Sequence, residues 1–117
     1  VTGAVQLLMG GAARPLSASA SPSSVSGSTA SSGTATTNAT TCTASGGLAP
    51  YTYAWSRVSG DTSTSANSAT SAATTFSASV GPVNSSRVSV WKCTVTDALG
   101  HAADSNTVSV DLEYTGP

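Results

Sequence analysis

Residues 88–100 read VSVWKCTVTDALG, and this stretch decides the fold. Trp91, Cys93 and Val95 fall on one face of an extended chain, and Val88, Val90 and Thr94 fall on the other. Asp97 to Gly100 then carries a turn signal. Upstream lie a second cysteine, Cys42, in the run TATTNATTCTAS (residues 34–45), and a second tryptophan, Trp55, in YTYAWSRV (residues 51–58). The order Cys42, Trp55, Cys93, with each residue in its own strand-like run, suits two β-sheets packed face to face.

The remaining runs extend the pattern. Residues 16–28 read as a short strand, a break at Pro22 and a second short strand, at a sheet edge because proline removes a ladder donor. Residues 34–45 read as one Thr/Ala strand with Thr36, Asn38, Thr40, Cys42 and Ala44 on one face. Tyr51, Tyr53 and Trp55 alternate along the next. Residues 62–73 are small and polar, an irregular edge segment. Phe76, Ala78 and Val80 share a face, as do Val108, Val110, Leu112 and Tyr114. Seven or eight short strands with turns between them and no helical period predict an all-β, antiparallel sandwich. Its expected core is Tyr53, Trp55, Phe76, Trp91, Val95, Val108, Val110 and Leu112. Residues 16–117 make this one domain, within the usual size range.

Residues 1–15 (VTGAVQLLMGGAARP) differ in composition, being poor in Ser and Thr. Val5, Leu7, Leu8 and Met9 are apolar, two glycines follow, and Pro15 marks the boundary. The expectation is an arm that docks on a protein partner, against the alternative of a first strand or terminus of the same domain. Val1 stands where loss of an initiator Met or cleavage of a longer precursor would leave it.

Composition excludes several functions. The net charge is −1 and 8% of residues are charged, so four basic side chains cannot neutralise a nucleic acid backbone. No apolar run approaches the roughly 20 residues of a membrane span. With 5% aromatic residues the core is small, and a crosslink matters more. Cys42 and Cys93 stand 51 positions apart. A bridge closing that loop stabilises by about 4 kcal/mol in the chain-entropy model. Two reduced, buried thiols are the alternative. Neither a metal nor another cofactor is expected, since two thiols and the lone His101 do not make four ligands. Asp61, Asp97 and Asp104 lack the spacing of a calcium loop. Asp97 is expected to cap backbone N–H groups of its own turn. No nucleophile elbow accompanies His101, and the chain reads as no enzyme. Asp111 and Glu113 are expected on a solvated face.

The Cys42, Trp55, Cys93 order resembles the immunoglobulin fold. Pro50-Tyr51-Thr52-Tyr53-Ala54-Trp55 and Val95-Thr96-Asp97-Ala98-Leu99-Gly100 look like the PKD and related Ig-like domains of bacterial surface proteins and bacteriophage virion proteins. The Ser/Thr-rich stretch 17–37 is similar to the starts of Ig-like modules on phage tail and capsid proteins. The resemblance covers residues 16–114. One departure is that Trp91 stands two positions before Cys93, where antibody-type domains carry a tyrosine, so the tyrosine corner is not expected here.

The resemblance implies a non-enzymatic accessory virion protein, anchored to capsid or tail subunits by its N-terminal arm. Copies of the chain could be neighbours in that assembly. The sandwich would be displayed for decoration, stabilisation or weak adhesion to a host surface glycan, with Tyr51 and Tyr114 as exposed aromatics. The alternative is an Ig-like or PKD-like carbohydrate- or protein-binding module of a secreted bacterial adhesin or polysaccharide-degrading enzyme, at the cell surface or outside it.

Overall fold

A computed structural model describes residues 14–83 and 85–116. The expected docking residues Val5, Leu7, Leu8 and Met9 lie outside them. All eleven described elements are strands: β1 (Ser17–Ser21), β2 (Ser24–Thr29), β3 (Gly33–Thr36), β4 (Thr40–Ser45), β5 (Thr52–Gly60), β6 (Ser65–Ala66), β7 (Ala73–Thr74), β8 (Phe76–Val80), β9 (Ser86–Thr96), β10 (Ala102–Asp104) and β11 (Val108–Tyr114).

They form two layers. In the first, β9 pairs with β5 on one side and with β10 and β11 on the other, and β2 adds to β11 in parallel. In the second, β4 lies between β1 and β7, and β8 lies between β3 and β6. These two halves are one layer, because the Thr37 N–H donates to the Phe76 carbonyl at 2.8 Å and the Phe76 N–H to Thr37 Oγ1 at 3.0 Å. The chain is an immunoglobulin-like antiparallel β-sandwich with one parallel pair.

The core lies between the layers. Trp55, Phe76, Trp91, Val95, Val108, Val110 and Leu112 are all buried, with Cys42 and Cys93 among them. The Phe76 ring stands edge-on to Trp55 at 5.9 Å and tilted against Trp91 at 5.0 Å, an arrangement that suits ring quadrupoles. Tyr53 is only half-buried and packs against this cluster from its margin. Few large side chains are available, so Thr and Ser fill the rest. Thr40 and Ser89 are buried with their hydroxyls bonded, Thr40 Oγ1 to the Pro22 carbonyl at 2.8 Å and Ser89 Oγ accepting from Trp91 Nε1 at 2.9 Å. The indole N–H thus has a partner without a tyrosine corner.

The segment expected as one strand over residues 34–45 is two. Ala35 and Thr37 face inward before the break, and Thr40 and Cys42 after it. The partner strand keeps its phase, with Thr74, Phe76 and Ala78 all buried. One extra residue is therefore inserted opposite residue 75, a bulge. Asn38 leaves the ladder here and pairs with β2 in the other layer. Its N–H donates to the Ser26 carbonyl at 3.3 Å, and its Oδ1 accepts the Ser26 N–H at 3.1 Å. Asn106 does the same for the outer edge of β1. Its Oδ1 accepts the Ala20 N–H at 2.9 Å and its Nδ2 donates to the Ala20 carbonyl at 3.1 Å. Two side-chain amides thus satisfy backbone groups at strand edges that would otherwise invite a further strand.

Candidate functional site

Three constellations named from sequence can be placed. Cys42 and Cys93 face each other between the layers as free thiols within hydrogen-bonding reach. Burial, and then the neighbouring Cys42, push the Cys93 thiol up to about 12. Burial also raises Cys42, against a partly offsetting hydrogen bond from Cys93. Both shifts disfavour the thiolate, which is the nucleophilic form.

The aspartates stand in separate networks. Asp61 accepts from Thr64 and pairs with Arg87 at 3.0 Å. Asp104 accepts from Lys92 at 2.9 Å and Thr94 at 2.6 Å. Asp97 bonds its own turn and the loop joining β4 to β5, as described below. Asp111 is half-buried, and its Oδ1 accepts no hydrogen bond from the described residues. Glu113 is exposed. Among the described residues, no group of three or more His, Cys, Asp or Glu side chains could hold a metal ion.

The aromatic rings are turned inward. Trp55 and Trp91 are buried, while Tyr51, Tyr53 and Tyr114 are half-buried. The Tyr51 hydroxyl donates to the Gly46 carbonyl at 2.6 Å.

The surface that stands out lies at one end of the sandwich, where three segments meet. These are the loop joining β4 to β5, the turn joining β9 to β10, and residues 14–16 leading into β1. Gly46 and Gly47 take positive φ of 71° and 58°, a conformation that glycine adopts without strain. A Cβ on Gly46 would collide with the Pro15 carbonyl, and one on Gly47 would lie 2.7 Å from Asp97 Oδ2. The double glycine therefore lets the incoming chain and the Asp97 carboxylate close on the loop together. The Gly47 N–H donates to the Arg14 carbonyl at 2.9 Å and holds the chain there.

Asp97 ties the two loops. Its side chain is 0% exposed. Oδ1 accepts the Leu99 N–H at 3.0 Å and the His101 N–H at 2.9 Å. Oδ2 accepts the Leu48 N–H at 3.3 Å and lies 3.2 Å from His101 Nδ1. The Ala98 N–H donates to the Leu48 carbonyl at 2.8 Å and completes the link. Burial, the largest single influence, pushes the Asp97 carboxyl up. The donors from His101, Leu48 and Leu99 together outweigh it and hold the group below its ordinary value.

Around this anchor opens a cleft of about 470 Å³, lined mainly by Leu16, Leu48, Leu99, His101 and Ala102, with Arg14 and Pro15 at its edge. Leu48 is 50% exposed and Leu99 is 66% exposed. The two leucines, one on each loop, make an apolar recess at this end of the sandwich. Among the described residues, His101 pairs through Nδ1 with Asp97 at 3.2 Å. The arrangement is suited to receiving an apolar group.

Sequence reasoning passed over Leu48 and Leu99 as loop residues. The available signal was the placing of a lone leucine inside each of two Gly-flanked turns, GGLAP and DALG. It also passed over Asn38 and Asn106, whose partners lie 12 and 86 positions away.

No protein-family model matches the sequence, and no curated protein matches it. Among solved structures the chain is similar to the crystal structure of Dscam1 Ig7 domain, isoform 9. Identity is 16%, the match covers 86% of this chain and 99% of that one, and the TM-score is 0.38. The immunoglobulin-like description of this chain rests on the strand pairing given above.

Proposed function

We propose that the chain is a non-enzymatic accessory module. It joins a larger protein assembly through residues 1–15 and displays the sandwich outward. The observation that carries this reading is the apolar cleft at the point where the described chain enters β1, with an apolar run just upstream in sequence. The chain enters β1 along the rim of the Leu48–Leu99 cleft, and the apolar run Val5, Leu7, Leu8 and Met9 lies just upstream. Of the exposed large apolar side chains, Leu48 and Leu99 share one cleft, and an apolar recess of this kind is the mark of an interaction site. The opposite end carries exposed Val58, Val83 and Val88, which no described cleft gathers.

The assembly we propose is a bacteriophage particle, with the module on its capsid or tail. The resemblance of residues 46–60 and 95–110 to Ig-like domains of virion proteins supports this choice. The half-buried rings argue for cementing or decoration over glycan adhesion as the module's main work.

Antibody raised against the chain, imaged by electron microscopy on purified particles and on cells of the source, tests the proposal. Regular labelling of the particle surface is the expected result. Label confined to the cell surface or the secreted fraction would replace it with the reading of an adhesin or enzyme module.

A further inference from the structure

We propose that, before the module joins its assembly, the cleft between Leu48 and Leu99 is filled by residues 5–9 of the same chain. This rests on the reading that residues 1–15 are a docking arm, and it adds where the arm is kept beforehand.

Four observations lead to it. First, the arm is tethered at the cleft itself: Arg14 and Pro15 line the rim, and the Gly47 N–H fixes the Arg14 carbonyl there. Second, the reach is right. Met9 precedes Arg14 by five positions, about 17 Å of extended chain at ~3.3 Å per residue. That is ample to return across a cleft of about 470 Å³. Third, Gly10-Gly11 lies between the apolar run and the rim. Paired glycines accept the positive φ values of the tightest chain reversals. Fourth, the chemistry matches. Residues 1–13 carry no charged side chain, and the cleft offers Leu16, Leu48, Leu99 and Ala102. The Asp97 carboxylate behind them is already satisfied by donors from both loops. An uncharged apolar occupant therefore loses no polar partner on entering.

The physical gain is mutual. Both surfaces are apolar, and covering one with the other removes both from water. The tether makes the encounter intramolecular, so the arm competes at high effective concentration against other apolar surfaces. A parked arm keeps single modules from associating through it too early. A partner that binds the arm more tightly draws it out and bares the cleft.

Met9 is the only methionine of the chain, so one ¹³C-methyl signal reports on the arm in the intact protein. The chain is produced from a cleavable tag that leaves no second methionine. The expected result is nuclear Overhauser contacts from the Met9 methyl to the Leu48 and Leu99 methyls, unchanged on tenfold dilution. In the double variant Leu48→Ser/Leu99→Ser those contacts are lost and the Met9 signal moves to the position of free methionine. Both leucines are exposed on loops, and Trp fluorescence checks that the sandwich is kept. The variant Leu7→Ser/Leu8→Ser gives the same shift without touching the sandwich. A wild-type Met9 signal already at the free position overturns the proposal, as does one that neither variant moves. Contacts that vanish on dilution overturn it in favour of a second copy as the occupant. The particle-labelling experiment is independent: a free arm on a labelled particle sinks only this inference, and a parked arm with no labelled particle sinks only the function proposed above.

Discussion

Replacing Asn106 by alanine tests how the first strand is held. Ala20 is buried on β1, and its N–H and carbonyl both look to the Asn106 amide, at 2.9 and 3.1 Å. Alanine at 106 removes both partners at once and offers nothing in exchange. A lost hydrogen bond costs about 1 kcal/mol net, and an orphaned buried group about 1–3 kcal/mol. Ala20 lies at a strand edge, where relaxation lets water reach part of the gap. The expected loss is therefore about 2 kcal/mol, or roughly 10 °C in Tm for a domain of this size. Urea unfolding followed by Trp fluorescence reads it directly, because Trp55 and Trp91 both sit in the core. Hydrogen exchange at the Ala20 amide should accelerate more than at other β1 amides. Asn67→Ala is the comparison: its amide bonds only the exposed hydroxyls of Thr75 and Ser77, so it should cost under about 0.5 kcal/mol. If Asn106→Ala also costs under about 0.5 kcal/mol with Ala20 still protected, the edge is held some other way and the argument fails.

Four further expectations follow from the same geometry. The contact between Cys42 and Cys93 is proposed to become a disulfide under oxidising conditions; intact mass should fall by about 2 Da and stability rise by about 4 kcal/mol, and an unchanged mass would show the pair stays reduced. While reduced, both thiols should resist thiol reagents in the native state, Cys93 most, since its pKa is pushed up to about 12. Asp97 has a lowered folded pKa, so its contribution is complete above about pH 4 and is lost as pH falls through the folded value. The Leu48, Leu99 and His101 amides should lose exchange protection over that window. Asp97→Asn should abolish the pH dependence, because an amide does not titrate, and should lower stability, because one amide oxygen cannot serve all these donors. Finally, a Cβ on Gly27 would strike the Thr36 carbonyl where β2 passes β3. Gly27→Ala should cost about 1–3 kcal/mol, measured by urea titration, and a neutral result would mean that the layers separate freely at this edge.

How far the sequence could be read depended on contrast between the two faces of each strand. In β9 and β11 large apolar residues alternate with polar ones, and the burial of Trp91, Cys93, Val95, Val108, Val110 and Leu112 follows that alternation. In residues 34–45 both faces are Thr and Ala, so a one-residue slip leaves the pattern looking the same. The bulge at Asn38 was therefore invisible: the single face expected for Thr36, Asn38, Thr40, Cys42 and Ala44 breaks there, and Ala35 and Thr37 turn inward in place of Thr36 and Asn38. Tyr53 has the correct phase but lies near the end of β5, where the opposite layer covers it only in part. The cleft was hidden for another reason. It is built from three segments far apart in sequence, and only the fold brings Leu16, Leu48 and Leu99 together. The local role of Asp97 could be foreseen from its turn, whereas its bond to Leu48, 49 positions away, could not.

The central claim is that this module docks through its N-terminal end. Its most direct measurement is reattachment of purified chain to particles stripped of it, scored by co-sedimentation, with full-length chain set against chain lacking residues 1–13. The account predicts that the shortened chain keeps its near-ultraviolet Trp signature and stays in the supernatant. If it sediments as the full chain does, docking runs through another face of the sandwich and the account is contradicted.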